Sequence, residues 1–391
     1  MKKKYWFFSL VLIILLVGVI DSLNGVPAFG RKYKMSCSVC HNPFPRLKDY
    51  GEEFASNGFV LKDKDTPRYY QDTGDDTLSL IRDFPLAVRL EGHIFYNNAN
   101  TRQFDFAAPY LVKLLSGGAL AKNISYYFYF YMNERGKVAG LEDAFIYFND
   151  LFGSGIALAV GQFQVSDPLF KRELRLTFED YLIYKAKPGL SHVNLAYDRG
   201  LMFTFGLKSG TDFTVEILNG SGIEEADASK SFDTDKYKNL FGRVSQGIGK
   251  ALRVGGCFYY GKEANRVVVN SVQMWGVDAT LHLGALELNA QYLERKDDNP
   301  AFSAVSAVEA STRGGLAELI YTPGGDNGKW YAVGLFNWVD SNFPGLDYAS
   351  LSAHLGIMLR RNIRLVGEVT YIFEDPQGKH ARAGIGLVTA F

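Results

Sequence analysis

From residue 84 onward, apolar and polar side chains alternate. In "FPLAVRLEGHIFYN" (residues 84–97), Phe84, Leu86, Val88, Leu90, Ile94 and Tyr96 share one parity, and Arg89, Glu91 and His93 share the other. In "LRVGGCFYYG", Leu252, Val254, Phe258 and Tyr260 oppose Arg253, Gly255 and Cys257. In "IRLVGEVTYIFE", Ile363, Leu365, Gly367, Val369, Tyr371 and Phe373 oppose Arg364, Glu368 and Thr370. Segments of roughly 10 residues with one apolar side are the pattern of transmembrane β-strands. A soluble sandwich alternates too, so the connections have to decide.

The pattern predicts strands over residues 84–97, 105–118, 122–133, 141–150, 155–165, 201–208, 211–219 and 238–247. The rest fall at 250–262, 270–283, 284–295, 312–323, 329–339, 347–360, 361–374 and 379–391. Short turns such as "KSGT", "GIGK", "HLGA" and "RRNI" follow the even strands, and longer polar loops follow the odd ones. Short periplasmic turns, long outer loops and an even strand count belong to outer-membrane barrels. The expected fold is therefore all-β, a transmembrane barrel of about sixteen antiparallel strands whose lumen its own wall cannot fill. The last strand, "ARAGIGLVTAF", ends on the aromatic Phe391, as bacterial outer-membrane barrels commonly do. The longest loop, residues 166–200, mixes Lys171, Arg172, Glu173, Arg175, Glu179 and Asp180 with apolar residues. Two readings stay open for it, an inward fold that narrows the pore or a packed outer surface loop.

Composition agrees with a lipid-facing wall, with 29 Phe and 23 Tyr but only 21% charged residues. The 42 basic and 42 acidic residues cancel, so no net field steers the chain toward nucleic acid. The N-terminus reads as an address. Lys2, Lys3 and Lys4 precede an uncharged apolar stretch from Tyr5 to Ile20, and Val26-Pro27-Ala28 offers a cleavage site. Residues 1–28 are therefore expected to be a secretory signal peptide, so the chain is exported, and with the barrel pattern the expected location is the bacterial outer membrane.

Between address and barrel stands "MSCSVCHNPFPRLKDYGEEF", in which Cys37, Cys40 and His41 form C-x-x-C-H. That spacing lets two sulfurs add to the vinyl groups of one haem while the histidine becomes its proximal iron ligand. Export makes haem attachment the better reading than a metal or redox cysteine pair. Cys257 is left over, so no disulfide framework is expected. "PFPRLKDYGEEFASNGF" predicts a short amphipathic helix from about Pro45, with Leu47, Tyr50 and Phe54 on one side and Gly58 as its stop. The expected organisation is a monohaem cytochrome c segment at 29–62, a polar linker at 63–83 and the barrel at 84–391. A haem domain this small needs external support, so it is expected to plug or cap the lumen, with the haem on the periplasmic side or inside the barrel.

The sixth iron ligand is open. His93 lies on the polar parity of the first strand, and Met132 lies in "YYFYFYMN"; both are candidates for the distal position. Met35 is too close to Cys37 to reach the opposite face.

The segment "PAFGRKYKMSCSVCHNPFPRLKDYGEEFASNGF" followed by a barrel resembles the fused monohaem cytochrome–porin family, whose known members are outer-membrane iron oxidases of Fe(II)-oxidising bacteria. The stretch "VGQFQVSDPLFKRELRLTFED" is similar to phosphate-selective porins. The resemblance implies one covalent haem c on Cys37 and Cys40, with His41 as proximal ligand. It implies an electron-transfer oxidoreductase of the iron:cytochrome type. Extracellular Fe(II), or another small donor, would lose an electron to a periplasmic c-type cytochrome or other carrier. The carboxylates of "GIEEAD" (Glu224, Glu225 and Asp227) offer a landing site for the metal or form an ordinary solvated loop. Two other functions fit the same pattern, an anion-selective porin with a haem-bearing plug and a conduit carrying electrons outward.

Overall fold

The computed structural model describes residues 28–391 apart from 62–69, 72, 76, 83, 100–102 and 234. The expected signal peptide, except Ala28, and much of the expected linker lie outside the described residues.

Sixteen antiparallel strands close into one barrel. They are β1 (Leu86–Asn97), β2 (Phe104–Ala121), β3 (Ile124–Glu134), β4 (Gly140–Phe148), β5 (Ala157–Phe163), β6 (Asp198–Gly206), β7 (Thr211–Leu218) and β8 (Asn239–Ile248). The circuit continues through β9 (Leu252–Asn265), β10 (Val268–Leu283), β11 (Leu286–Asp297), β12 (Ala310–Tyr321), β13 (Trp330–Ser341), β14 (Tyr348–Arg360), β15 (Ile363–Glu374) and β16 (His380–Ala390). Each predicted strand is present, with ends within three residues of those expected. β16 pairs with β1, and Phe391 exchanges two backbone hydrogen bonds with Val88, so the wall has no open edge.

Alternation sorts the wall as the pattern requires. On β9, Phe258 and Tyr260 are exposed outward while Cys257 and Tyr259 are buried inward. Trp275, Val277, Leu351, Leu355, Val369 and Tyr371 add to the same apolar outer surface, which suits hydrocarbon lipid and not water. β3 alternates its aromatics between the two faces, with Tyr126 on the outer one. Tyr127, Tyr129 and Tyr131 point inward and are buried, leaving Phe128 and Phe130 on the outer parity.

Connections after even strands form a turn end and those after odd strands a loop end. The contrast in length has exceptions, since β9 and β10 join through the tight turn Arg266–Val267 at the loop end. At the turn end, the residues between β12 and β13 include a 3₁₀ turn, Gly325–Asn327.

The loop between β5 and β6 folds inward, which settles its two readings. Tyr181 Oη donates to Glu318 on β12 (3.0 Å), Tyr184 Oη donates to Gln291 on β11 (3.1 Å), and the Phe178 and Glu179 amides donate to Glu368 on β15 (2.6 and 2.9 Å). On the opposite wall, Glu173 meets Lys113 of β2 and accepts from Tyr131 of β3 (3.2 Å). The loop therefore spans the lumen.

The N-terminal segment enters from the turn end and contains two helices, α1 (Ala28–Tyr33) and α2 (Asp49–Ser56). α2 begins later than expected. His41 and Leu47 pair as an isolated bridge and the Lys48 amide donates to Cys40 O (2.8 Å), so Pro45 and Leu47 belong to a turn. Tyr50 is exposed and Phe54 buried, which leaves Phe54 as the helix's anchor. Gly58 ends the helix at φ +69°, and a Cβ there would lie 2.0 Å from Ser125 Oγ, so the stop is also a close approach to the wall.

Candidate functional site

The cysteine turn is built by local hydrogen bonds. Ser36 Oγ accepts from the Ser38 amide at the start of the 3₁₀ turn Cys37–Val39, and the His41 amide donates to Cys37 O (2.9 Å). One helical turn therefore carries Cys37, Cys40 and His41. Both thiols are free, and burial pushes their pKa values above the ordinary range.

His41 is the best-defined donor. Its Nδ1 lies 2.8 Å from Pro45 O, and a carbonyl can only accept, so Nδ1 carries the proton and Nε2 keeps its lone pair. Carbonyl anchoring of the second ring nitrogen is how metal-ligating histidines are oriented. Burial lowers its pKa to about 4, opposed by carbonyls of Pro45 and Arg46 and reinforced by Arg364, so the ring is neutral at physiological pH. Two free thiols and a neutral imidazole on one turn fit the donor set of a covalent haem. Among the described residues, no three His, Cys, Asp or Glu side chains are gathered into a metal-holding group.

The turn rests on the wall at β13–β15. Arg364 Nη1 donates both to Phe44 O (2.7 Å) and to Tyr331 Oη (2.7 Å), and its guanidinium lies over the Phe44 ring (5.5 Å). Between turn and wall is a cleft with about 20 Å³ of free space, lined by Cys37, His41, Phe44, Trp330, Tyr331 and Met358 among others. On the other side of the segment a vestibule of about 1820 Å³ opens at the turn end, and Asn42 borders both spaces. A porphyrin bonded to Cys37 and Cys40 would gain its room by parting turn from wall or by using the vestibule.

The two candidates for the distal position are not brought to this turn. His93 does face the lumen, but its Nε2 meets Glu91 Oε2 (3.1 Å), and Phe178 and Tyr110 pack edge-on against it. It belongs to the zone beneath the inward loop and lines neither cavity. Met132 is 49% exposed and shares the outward parity of Phe128 and Phe130, so its thioether faces lipid and cannot reach an iron inside. Met358, which the pattern did not single out, is the methionine at the cleft. The outer carboxylates are not gathered either. Glu224 pairs with His192 (3.0 Å), and Asp227 is used by the Ser229 and Ser231 amides of its own turn.

Farther up the lumen the loop carries a dense charge network. Arg172 donates twice to Asp180 (3.0 and 2.6 Å), Lys171 pairs with Asp167 (2.6 Å), and Arg382 pairs with Glu179 (2.7 Å). Burial alone would raise the Asp180 carboxyl, but Arg175, Arg172 and Lys185 outweigh it and hold it well below the usual range.

No protein-family model matches the sequence. No curated protein matches it. Solved structures do share its fold. The anion-selective porin from Comamonas acidovorans superposes with a TM-score of 0.57 at 11% identity, covering 79% of this chain and 99% of that one. The outer membrane channel DcaP of Acinetobacter baumannii gives 0.57 at 11%, covering 79% and 97%. Pseudomonas putida OprB gives 0.52 at 12%, covering 88% and 98%. The chain has a porin-like barrel. Likeness at these identities carries architecture and nothing finer.

Proposed function

We propose that the chain conducts electrons across a bacterial outer membrane, with one haem c bound through Cys37 and Cys40. Its donor is extracellular, with Fe(II) the leading choice, and its acceptor is a periplasmic c-type cytochrome or similar carrier. Each event oxidises one Fe(II) to Fe(III) and reduces the carrier by one electron. When bound, the haem supplies the one-electron couple between them. His41 offers Nε2 to the iron, Pro45 O fixes the ring, and the inward loop keeps the upper lumen packed.

The observation that carries this reading is a continuous line of contacts from the cysteine turn toward the loop end. His41 packs on Phe44 (4.8 Å), and Arg364 bridges Phe44 to Tyr331. Tyr331 stacks on His354 (5.7 Å), His354 meets Phe178 (5.6 Å), and Phe178 meets His93 (4.8 Å). His93 then meets Tyr110 (4.9 Å), which lies under the exposed Arg135 (5.7 Å). Electron tunnelling decays more slowly through packed matter than through open water, so a filled lumen serves a conduit where an empty one would not.

The vestibule favours a second reading, a solute channel. Against anion selectivity stands the pairing of lumen cations, since Lys113, Lys171, Arg172 and Arg382 each have a carboxylate partner.

The test is stopped-flow absorbance of the oxidised full-length protein mixed with Fe(II). The expected result is rapid growth of the reduced c-haem band, abolished in the Cys37→Ala, Cys40→Ala chain together with haem staining on a denaturing gel. Protein that dithionite reduces and Fe(II) does not would remove iron as donor. Reduction of external acceptors instead would assign the outward direction.

A further inference from the structure

The conduit reading leaves one iron position without a ligand, and the cleft beside the cysteine turn holds a side chain that could fill it. We propose that Met358 supplies the thioether opposite His41; the proposal rests on haem attachment at Cys37 and Cys40.

Met358 is an inward position of β14. Its parity is that of Ser350, Ser352 and His354, all buried, whereas Leu351, Leu355, Ile357 and Leu359 are exposed on the outer face. A register irregularity between Met358 and Arg360 against β15 marks a bulge-like break, which is how a strand re-aims a side chain. The strand is pinned there, because the Met358 amide donates to Lys329 O (2.8 Å).

The cleft has two banks. His41 and Cys37 are on one, and Met358, Tyr331 and Trp330 are on the other. With about 20 Å³ of free space, the cleft would admit a ring held by Cys37 and Cys40 only if the banks parted, and His41 and Met358 would then each present a donor to it. Tyr331 is the competing donor, but its oxygen accepts from Arg364 (2.7 Å) and lies 3.5 Å from His354 Nε2, so it is already held. Met358 packs beside a small apolar cluster of Leu176, Ile320, Tyr331 and Val333, which keeps water from the sulfur. The other described methionines are elsewhere. Met35 lies two residues before Cys37 and does not line the cleft, Met132 faces outward, Met202 borders the vestibule and Met274 is buried in the cluster under the loop. A thioether is a soft, neutral ligand, and paired with histidine it raises the haem potential, which favours accepting electrons from a weak reductant such as Fe(II).

The experiment uses purified full-length protein and two variants, Met358→Leu and Met358→His. Haem staining on a denaturing gel reports attachment, and the far-red sulfur-to-iron charge-transfer band of the ferric protein reports the thioether. The expected result is equal staining in all three proteins, the band only in the unmodified chain, and a lower midpoint potential in Met358→His. A stained unmodified chain lacking the band, or a stained Met358→Leu chain keeping it, overturns Met358 as ligand and leaves the conduit reading standing. An unmodified chain that does not stain overturns both. Should Met358→Leu lose the heat-modifiable mobility of a folded barrel, the spectrum of the unmodified chain and the potential of Met358→His still decide.

Discussion

Two pieces of chain fill the lumen, and they are held in opposite ways. The inward loop is tied by buried, doubly partnered charges and by tyrosine and amide hydrogen bonds to β2, β3, β11, β12 and β15. The N-terminal segment is tied by aromatic packing of Phe59 on Tyr127 (4.2 Å), by the Arg46–Glu287 and Lys48–Asp326 pairs and by Arg364. Among the described residues, Cys37, Cys40 and His41 make no side-chain hydrogen bond to the wall. The loop is complete by itself. The segment instead carries two free thiols, Cys37 and Cys40, and a neutral imidazole, His41, on one turn.

The contrast breaks most decisively at the loop. Asp180→Ala strands Arg172, with 8% of its side chain exposed, among groups that no longer compensate it. Removing one partner of a buried ion pair costs about 3–5 kcal/mol. The expected outcome is a lower thermal midpoint and larger single-channel conductance in planar bilayers as the loop releases. Unchanged conductance would mean that the loop is held by its apolar and tyrosine contacts instead.

A smaller effect is expected in the segment on acidification. Burial lowers folded His41 to a pKa of about 4 against 6.5 unfolded, and a Cys37→Ser, Cys40→Ser chain is the form in which no haem would mask that difference. The released segment therefore binds the proton first, so docking is fully stable above pH 6.5 and loses stability as pH falls toward 4. The loss is roughly 2–3 kcal/mol by linkage. Amide exchange of residues 37–57, corrected for intrinsic rates, would show protection falling between pH 7 and pH 4. Equal protection at both values would remove His41 as the cause.

The smallest effect should come from Arg46→Ala. The pair with Glu287 is partly exposed (19% and 16%), and such pairs contribute about 0.5–1 kcal/mol. Segment exchange should quicken slightly while barrel melting stays unchanged. A large drop in barrel stability would show that the segment is structural and not a docked insert.

Much of this was legible along the chain. Strand positions follow from a period of two, because a wall with lipid outside and a polar lumen inside leaves no other arrangement. The cysteine turn was legible because its spacing is local. The facing of Met132 stays open in a sequence run where every preceding residue is aromatic, yet a signal is present. From Tyr127 to Tyr131 the tyrosines alternate with Phe128 and Phe130, and buried phenols find partners inside, as Tyr129 does with Glu142 (3.1 Å), although Tyr126 sits on the outer parity. Met132 has the parity of the phenylalanines.

By itself the sequence determined a barrel of sixteen strands and a C-x-x-C-H turn ahead of it, since both rest on neighbours within a few residues. Only the tertiary structure decided that the loop turns inward, that His93 lies beneath it, and that Met358 and His41 border one cleft. Those depend on side chains from 60 to more than 300 residues apart, such as Lys113 with Glu173 and Phe44 with Arg364. Closure of the barrel brings them together, and no local pattern records which wall position meets which insert.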